Sequence, residues 1–139
     1  ALGTWVSTPK YYPQYDDWYV FTMRVGEGAD DGQLAGTIDA RTWSGDGTLT
    51  EPPECGGEEL NLQVSMPARG QRTADGGFSF SGASWALHPS SCTGLSPRYT
   101  GYNPDKFSGR IDGGALRSVN NDGGRSVNDP VGFERVSCE

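Results

Sequence analysis

The chain has 139 residues, of which 34% are hydrophobic, and it contains 21 glycines and 9 prolines. That length suits one hydrophobic core but not two, and the many turn-forming residues favour short strands over long helices. The net charge of −7 argues against nucleic acid or an anionic membrane as a partner, because either would need a basic face. No apolar run approaches the roughly 20 residues that a membrane-spanning helix requires, so no membrane-spanning segment is expected.

Alternation of apolar and polar residues predicts eight strands in chain order. The clearest one begins at Trp18, where Tyr19, Phe21, Met23 and Val25 share one face and aromatic and β-branched residues dominate. The predicted strands are residues 2–7, 18–25, 34–43, 60–66, 78–87, 107–111, 115–119 and 131–138.

Local signals predict where these strands turn or break. Asp112-Gly113 lies between two alternating segments and predicts a tight hairpin, because both residues tolerate positive φ. The fourth strand is expected to stop at Pro67. The inward face of the fifth strand changes parity after Phe80, which predicts a bulge at residues 82–84.

Two strands share a similar sequence, Leu34–Asp39 and Phe107–Asp112, each with a glycine at its third position. A glycine inside a strand often marks a bend or a close approach of two backbones. We interpret the similarity as one solution for a barrel strand that the chain uses twice.

Consecutive antiparallel strands place alternate connections at opposite ends of a sheet. A simple meander therefore gathers the long loops of this chain at one end, the mouth, which usually holds the ligand in closed barrels of this size. The predicted fold is all-β, a single-domain eight-stranded antiparallel up-and-down barrel over residues 1–139. The short connections are 26–32, 67–76 and 112–113, and the long ones are 8–17, 45–59, 88–105 and 120–130.

The positions of the three cysteines fit this arrangement. Cys55 and Cys92 lie in long loops at the same end, which predicts a disulfide worth about 3–4 kcal/mol in the chain-entropy model. Cys138 ends the last strand at the opposite end, near Ala1; it is a free thiol, an intermolecular partner or the mate of a cysteine upstream. The disulfide favours an oxidising compartment, so we expect a secreted, periplasmic or cell-surface protein.

The N-terminal Gly3-Thr4-Trp5 resembles the first strand of the calycin group, the lipocalins and avidin-like proteins, which often carries Gly-x-Trp. In lipocalins an arginine from the end of the barrel packs over that tryptophan, and Arg135 is the matching residue here. The resemblance implies a small barrel that binds a ligand, but it implies no particular ligand.

Aromatic residues are concentrated in the loop and strand start from Tyr11 to Tyr19. They can supply the flat surfaces with polar rims that sugars or amphipathic ligands require, or they can plug the mouth as part of the core. Polar groups in the 120–130 loop could assist a ligand or a hard cation, although Asx turns would satisfy the same side chains. The predicted ligand-binding residues are Tyr12, Tyr15, Trp18, Tyr99, Tyr102, Asn120, Asp122 and Asn128.

Signals for catalysis and for metal binding are weak. His88 is the only histidine, no Gly-x-Ser-x-Gly elbow occurs, and the paired carboxylates are adjacent in sequence, so that in a strand they would point to opposite faces. We therefore expect no catalytic residue, metal or cofactor. The leading hypothesis is a binding protein that holds a small-molecule or saccharide-like ligand at the mouth. The alternatives are a secreted inhibitor or protein-interaction module and, third, a barrel cyclase or isomerase.

Overall fold

The computed structural model describes residues 1–55, 60–93 and 101–139, and all the regular secondary structure within these ranges is β. The strands are β1 (Gly3–Ser7), β2 (Lys10–Tyr12), β3 (Asp17–Glu27), β4 (Gln33–Ser44), β5 (Leu60–Arg72), β6 (Gly77–Gly82), β7 (Ala86–Leu87), β8 (Cys92–Thr93), β9 (Lys106–Asp112), β10 (Ala115–Asn120) and β11 (Asp129–Ser137).

Eight of these strands close into an antiparallel barrel. They are hydrogen-bonded in the order β1-β11-β10-β9-β6-β5-β4-β3, and β3 pairs with β1 to complete the ring. Neighbours in the barrel are neighbours in sequence, apart from three short strands that lie off this path or extend it. The predicted eight-stranded meander is therefore confirmed, and closure leaves the long strands without free edges.

The three short strands are additions to the predicted eight. β2 pairs with β3 beyond the end of β1, whereas β7 and β8 both pair with β5 beyond the end of β6. Where β1 gives way to β2, the Ser7 hydroxyl oxygen accepts a hydrogen bond of 2.8 Å from the backbone N–H of Phe21. A side chain thus satisfies a ladder donor at the break.

The interior of the barrel is filled by side chains. Alternate residues of every long strand point inward, as the sequence pattern predicts, and the interior is packed from one end to the other. The largest fully buried side chains of this core are Trp5, Phe80, Phe107, Phe133, Met23, Leu34, Ile38, Met66 and Leu116.

The prediction that Pro67 ends a strand is wrong, because β5 continues to Arg72. Pro67 pairs with Thr37 of β4, while on its other side its carbonyl accepts a 2.9 Å hydrogen bond from Ala83. That side faces the gap between β6 and β7, where the ladder is already interrupted. A missing N–H is tolerated there, as it is at bulges generally.

The predicted irregularity after Gly82 takes the form of this break between β6 and β7. Phe78 and Phe80 are buried before it, and Trp85 and Leu87 pack against the core after it, so the change of parity is absorbed. The predicted hairpin is also present, but its two-residue turn is Gly113-Gly114 and not Asp112-Gly113, because Asp112 still pairs with Ala115; Gly113 has φ 61°.

The glycines shared by the two similar strands are close-approach positions. A Cβ atom on Gly36 would lie 1.9 Å from the carbonyl oxygen of Arg24, and one on Gly109 would lie 1.9 Å from that of Arg117. Any side chain would have to displace the neighbouring strand. The interpretation of the similar sequences as a repeated barrel-strand solution is confirmed.

Trp5 and Arg135 pack together, as the resemblance implies. They are register partners on β1 and β11, and the guanidinium carbon lies 5.6 Å from the centroid of the indole ring. Trp5 is fully buried, and its Nε1 donates a 2.7 Å hydrogen bond to the carbonyl of Ala1. The pair closes the end of the barrel opposite the long loops.

The long loops meet at the other end. Cys55 and Cys92 form the predicted disulfide between two of them, and the remaining thiol, Cys138, is exposed. Arg125 and Asp17 form a salt bridge of 2.9 Å between the other two long connections. Within the described ranges, no helix is long and apolar enough to cross a membrane.

Candidate functional site

A small cavity of about 60 Å³ opens among the long loops at the mouth of the barrel. Its walls combine aromatic rings with a few polar side chains, the mixture that small-ligand sites generally show. The residues that line it are Tyr12, Tyr19, Phe21, Gly101, Tyr102, Asn103, Asp105, Asp122, Arg125 and Ser126.

Asp105 is the most deeply buried charged group in this cavity, with 2% of its surface exposed. Its carboxylate accepts hydrogen bonds from the Tyr102 hydroxyl at 2.5 Å and from the Asn120 amide at 2.8 Å. Burial raises the pKa of Asp105 to about 6, and these two hydrogen bonds oppose the rise. A carboxyl with a perturbed pKa in a cleft is a common mark of a functional site.

Asn120 holds Asp105 in place instead of facing a ligand itself. Its side-chain oxygen accepts a 3.0 Å hydrogen bond from the backbone of Lys106, while its amide nitrogen donates to Asp105. The residue is 1% exposed, and both ends of its side chain are bonded within the protein.

Tyr12 and Lys10 of β2 converge on Asp129 at one side of the mouth. The Tyr12 hydroxyl donates a hydrogen bond to one carboxylate oxygen, and the Lys10 ammonium lies 2.5 Å from the other. The same ammonium is 5.3 Å from the centre of the Tyr12 ring. Burial, together with the bond to Asp129, raises the pKa of Tyr12, so the phenol stays neutral.

Arg125 is a second cationic side chain that neighbouring residues hold at the rim of the mouth. Its guanidinium lies 3.4 Å from the centre of the Tyr15 ring and pairs with one oxygen of Asp17. The other oxygen of Asp17 is buried and has no hydrogen-bond partner among the described residues. Burial raises the pKa of Asp17, and the ion pair with Arg125 opposes that rise.

The 121–128 loop is organised by its own side chains. One oxygen of Asp122 accepts hydrogen bonds from the backbone N–H groups of Gly124 and Ser126, and Asn121 accepts one from the backbone of Asn128. These contacts are those of Asx turns, which the sequence of this loop allows as the alternative to cation binding. The described ranges contain no group of three or more His, Cys, Asp or Glu residues placed to hold a metal ion.

The structure separates the predicted site residues into three groups. Tyr12, Tyr102 and Asp122 line the cavity, and Tyr15 lies at its rim with 49% of its surface exposed. Asn120 supports Asp105 from behind. The remaining three lie away from the cavity or outside the described ranges.

Trp18 is on the outer face of the barrel, stacked on Trp43 at 6.0 Å and donating a hydrogen bond to the carbonyl of Asp46. Asn128 is exposed within its own loop, with φ of 47°. Tyr99 lies outside the described residues.

Seven of the ten lining residues are absent from the predicted set, among them Asp105 and Arg125. Strand parity holds the signal for Asp105, because the alternation that places Phe107 inside also places the residue two positions before it inside. Tyr19 and Phe21 follow from the same rule on β3. Arg125 has no comparable signal, since it lies in a loop whose path depends on tertiary contacts.

Comparisons with protein-family models, with curated proteins and with solved structures found no match to this chain.

Proposed function

We propose that the protein is a binding protein that holds one end of a small polar ligand, saccharide-like in character, in the cavity at its long-loop mouth. The observation that supports this most strongly is the position of Asp105, a buried carboxyl on the wall of an aromatic cavity. Aromatic rings offer stacking surfaces, and a few fixed polar groups give a ligand its orientation.

The size of the cavity limits how much of a ligand it can enclose. A volume of about 60 Å³ accommodates a few water molecules or one small chemical group, whereas pockets that enclose whole ligands measure several hundred Å³. The rest of the ligand would lie across the rim, near Tyr15 and Arg125. The barrel in this proposal is a rigid scaffold, not a container.

The same limit counts against the cyclase or isomerase hypothesis. An enzyme that works by shaping its substrate must surround it, and the packed interior leaves no room for this. Asp105, with its pKa raised to about 6 by burial, has the acidity of a general acid, but a cavity of this size does not enclose a substrate beside it.

A protein-interaction module is the second candidate, and the filled interior favours it. A packed barrel with ordered loops at one end is a suitable scaffold for presenting those loops to another protein. In this alternative Tyr15 and Arg125 at the rim would contact the partner, since exposed tyrosine and arginine are frequent at interfaces.

The proposed location of the protein is outside the cell, secreted or displayed at the cell surface. The Cys55–Cys92 disulfide supports it, because such bonds persist in oxidising compartments. The barrel and the Trp5–Arg135 pair support a calycin-like relationship, in which small barrels bind ligands at an open end.

A glycan and small-molecule binding screen with two neighbouring tyrosine variants tests the proposal. Tyr12→Ala removes a wall of the cavity, and we expect about a tenfold loss of affinity for any ligand found. Tyr11→Ala is the matched control, because Tyr11 lies next in the same strand but packs against Trp18 on the outer face. The affinity of Tyr11→Ala for the ligand should stay within twofold of the wild-type value, and thermal melting should show that both variants are folded.

A ligand whose affinity survives Tyr12→Ala and whose contacts map to the 28–32 or 73–76 turns would place the site at the wrong end of the barrel. If no small molecule binds, but a purified partner protein forms a stoichiometric complex that Tyr15→Ala disrupts, the interaction-module alternative replaces the proposal.

A further inference from the structure

The mouth contains three places where a carboxylate lies beside tyrosine rings. In the first, Asp129 and the Tyr12 ring hold the ammonium of Lys10, at 2.5 Å and 5.3 Å respectively. In the second, Asp17 and the Tyr15 ring hold the guanidinium of Arg125, at 2.9 Å and 3.4 Å. Both arrangements combine an ion pair with a cation–π contact.

The third place is the cavity wall at Asp105, next to the rings of Tyr12, Tyr19, Phe21 and Tyr102. In the described ranges no lysine or arginine forms an ion pair with this carboxylate. Among the described residues, its carboxylate accepts hydrogen bonds from the Tyr102 hydroxyl and the Asn120 amide, which leave lone pairs on both oxygens. A buried carboxylate without a counter-ion is costly, and a cation beside it would offset that cost.

The charges around the cavity favour a cationic ligand as well. Lys10 and Arg125 are neutralised by Asp129 and Asp17. The remaining charged groups of the lining, Asp105 and Asp122, are both acidic. Within the described ranges no further basic side chain of the lining balances this negative charge, so it repels an anionic ligand and attracts a cation.

We propose that the cavity binds the primary ammonium group of a small molecule, an amino sugar or an aliphatic amine, with Asp105 as its counter-ion and the surrounding tyrosine rings as its walls. A primary ammonium is small enough for about 60 Å³ and donates three hydrogen bonds, which suits the free lone pairs of the carboxylate. The inference rests on the proposed function, because it names the class of ligand for the same mouth site.

Calorimetric titration at pH 7.0 with two matched pairs of probes tests the inference. Glucosamine and glucose differ at one amine, and butylammonium and butan-1-ol differ in the charge of their head group. We expect the charged member of at least one pair to bind at least tenfold more tightly than the neutral member. Binding of glucosamine but not butylammonium assigns the ligand to amino sugars, and the reverse result assigns it to aliphatic amines.

Asp105→Asn should weaken binding of the charged probe about ten- to a hundredfold, because it removes the charge and preserves the shape of the side chain. Asp31→Asn, at an exposed position in a turn at the opposite end of the barrel, removes the same charge and should change the affinity by less than twofold. If Asp105→Asn does not fold, the matched probes on the wild-type protein still decide whether the ligand must be charged, and Tyr12→Ala, which removes a ring from the cavity wall, tests only where it binds.

Equal binding of the charged and neutral members of both pairs overturns the ammonium inference, as does full affinity in Asp105→Asn. In either case, a loss of affinity in Tyr12→Ala would still support the mouth as the binding site. If no probe binds, the ammonium inference is overturned, and the broader glycan and small-molecule screen decides the proposed function separately.

Discussion

Substitution of Asp105 by Asn should change how the stability of the barrel depends on pH. Burial raises the pKa of this carboxyl from its ordinary value of 3.8 to about 6 in the folded protein. Between these two values the folded state binds more protons than the unfolded chain. The contribution of Asp105 to stability is therefore greatest below about pH 4 and is lost as the pH rises through 6.

The rise of this pKa from 3.8 to about 6 corresponds to roughly 3 kcal/mol of unfolding free energy. In Asp105→Asn this pH-dependent term is absent. The variant also places an amide N–H₂ where Tyr102 and Asn120 both donate, which adds a cost that does not depend on pH. Relative to the wild type, the free energy of unfolding of the variant should therefore rise by about 2.5 kcal/mol between pH 4 and pH 7.5, whatever its absolute stability, because most of the term is still present at pH 4.

Urea unfolding of both proteins at pH 4 and pH 7.5 measures this difference directly. Other groups with shifted pKa values, such as Asp17, are present in both proteins and cancel in the comparison. Asp75→Asn is a control that should change little between these two pH values, because the hydrogen bond from Thr73 lowers the pKa of Asp75 and its pH-dependent contribution therefore falls below pH 4. A change below about 1 kcal/mol for Asp105→Asn, or a change in the other direction, would refute the placement of an ionisable carboxyl in a desolvated cavity.

Three further predictions concern the barrel itself, and urea unfolding measures each of them. Trp5→Ala should cost about 3–5 kcal/mol because Trp5 is fully buried, and a cost below about 1 kcal/mol would mean that it does not plug the barrel. Gly36→Ala should be strongly destabilising, while Gly132→Ala should be nearly neutral because its Cβ meets nothing within 4 Å; equal costs would contradict the close approach of strands. The double replacement of Cys55 and Cys92 by serine should cost about 3–4 kcal/mol. A double variant as stable as the wild type would show that the disulfide does not constrain the chain.

Strand parity made most of the fold predictable from the sequence. Tyr19 to Val25 alternate cleanly because one face of β3 packs in the core and the other does not. The disulfide followed from topology alone, since a meander sends the loops of Cys55 and Cys92 to the same end. The prediction that Pro67 ends a strand was wrong because β5 can include a proline where the neighbouring ladder has a gap, and no local sequence pattern indicates that gap.

The site was less predictable than the fold. The sequence directed attention to a dense run of aromatics, but Trp18 lies on the outer face of the barrel, whereas Tyr12 lines the cavity. Alternation along β2 and β3 places Tyr12 and Trp18 on opposite faces of the sheet, and that signal is present in the sequence. The association of Asp105 with Asn120, and of Arg125 with Asp17, joins residues 15 and 108 positions apart through loop packing, which composition and spacing do not encode.

The central claim, that the long-loop mouth binds a small polar ligand, is tested most directly by amide chemical-shift mapping of the folded protein against a panel of sugars and amines. The account predicts that the shifts caused by any ligand cluster at residues 101–105 and 122–126 and at Tyr12 and Tyr19. Shifts that cluster instead at the 28–32, 73–76 and 113–114 turns, or a panel that shifts no amide of the mouth, would contradict it.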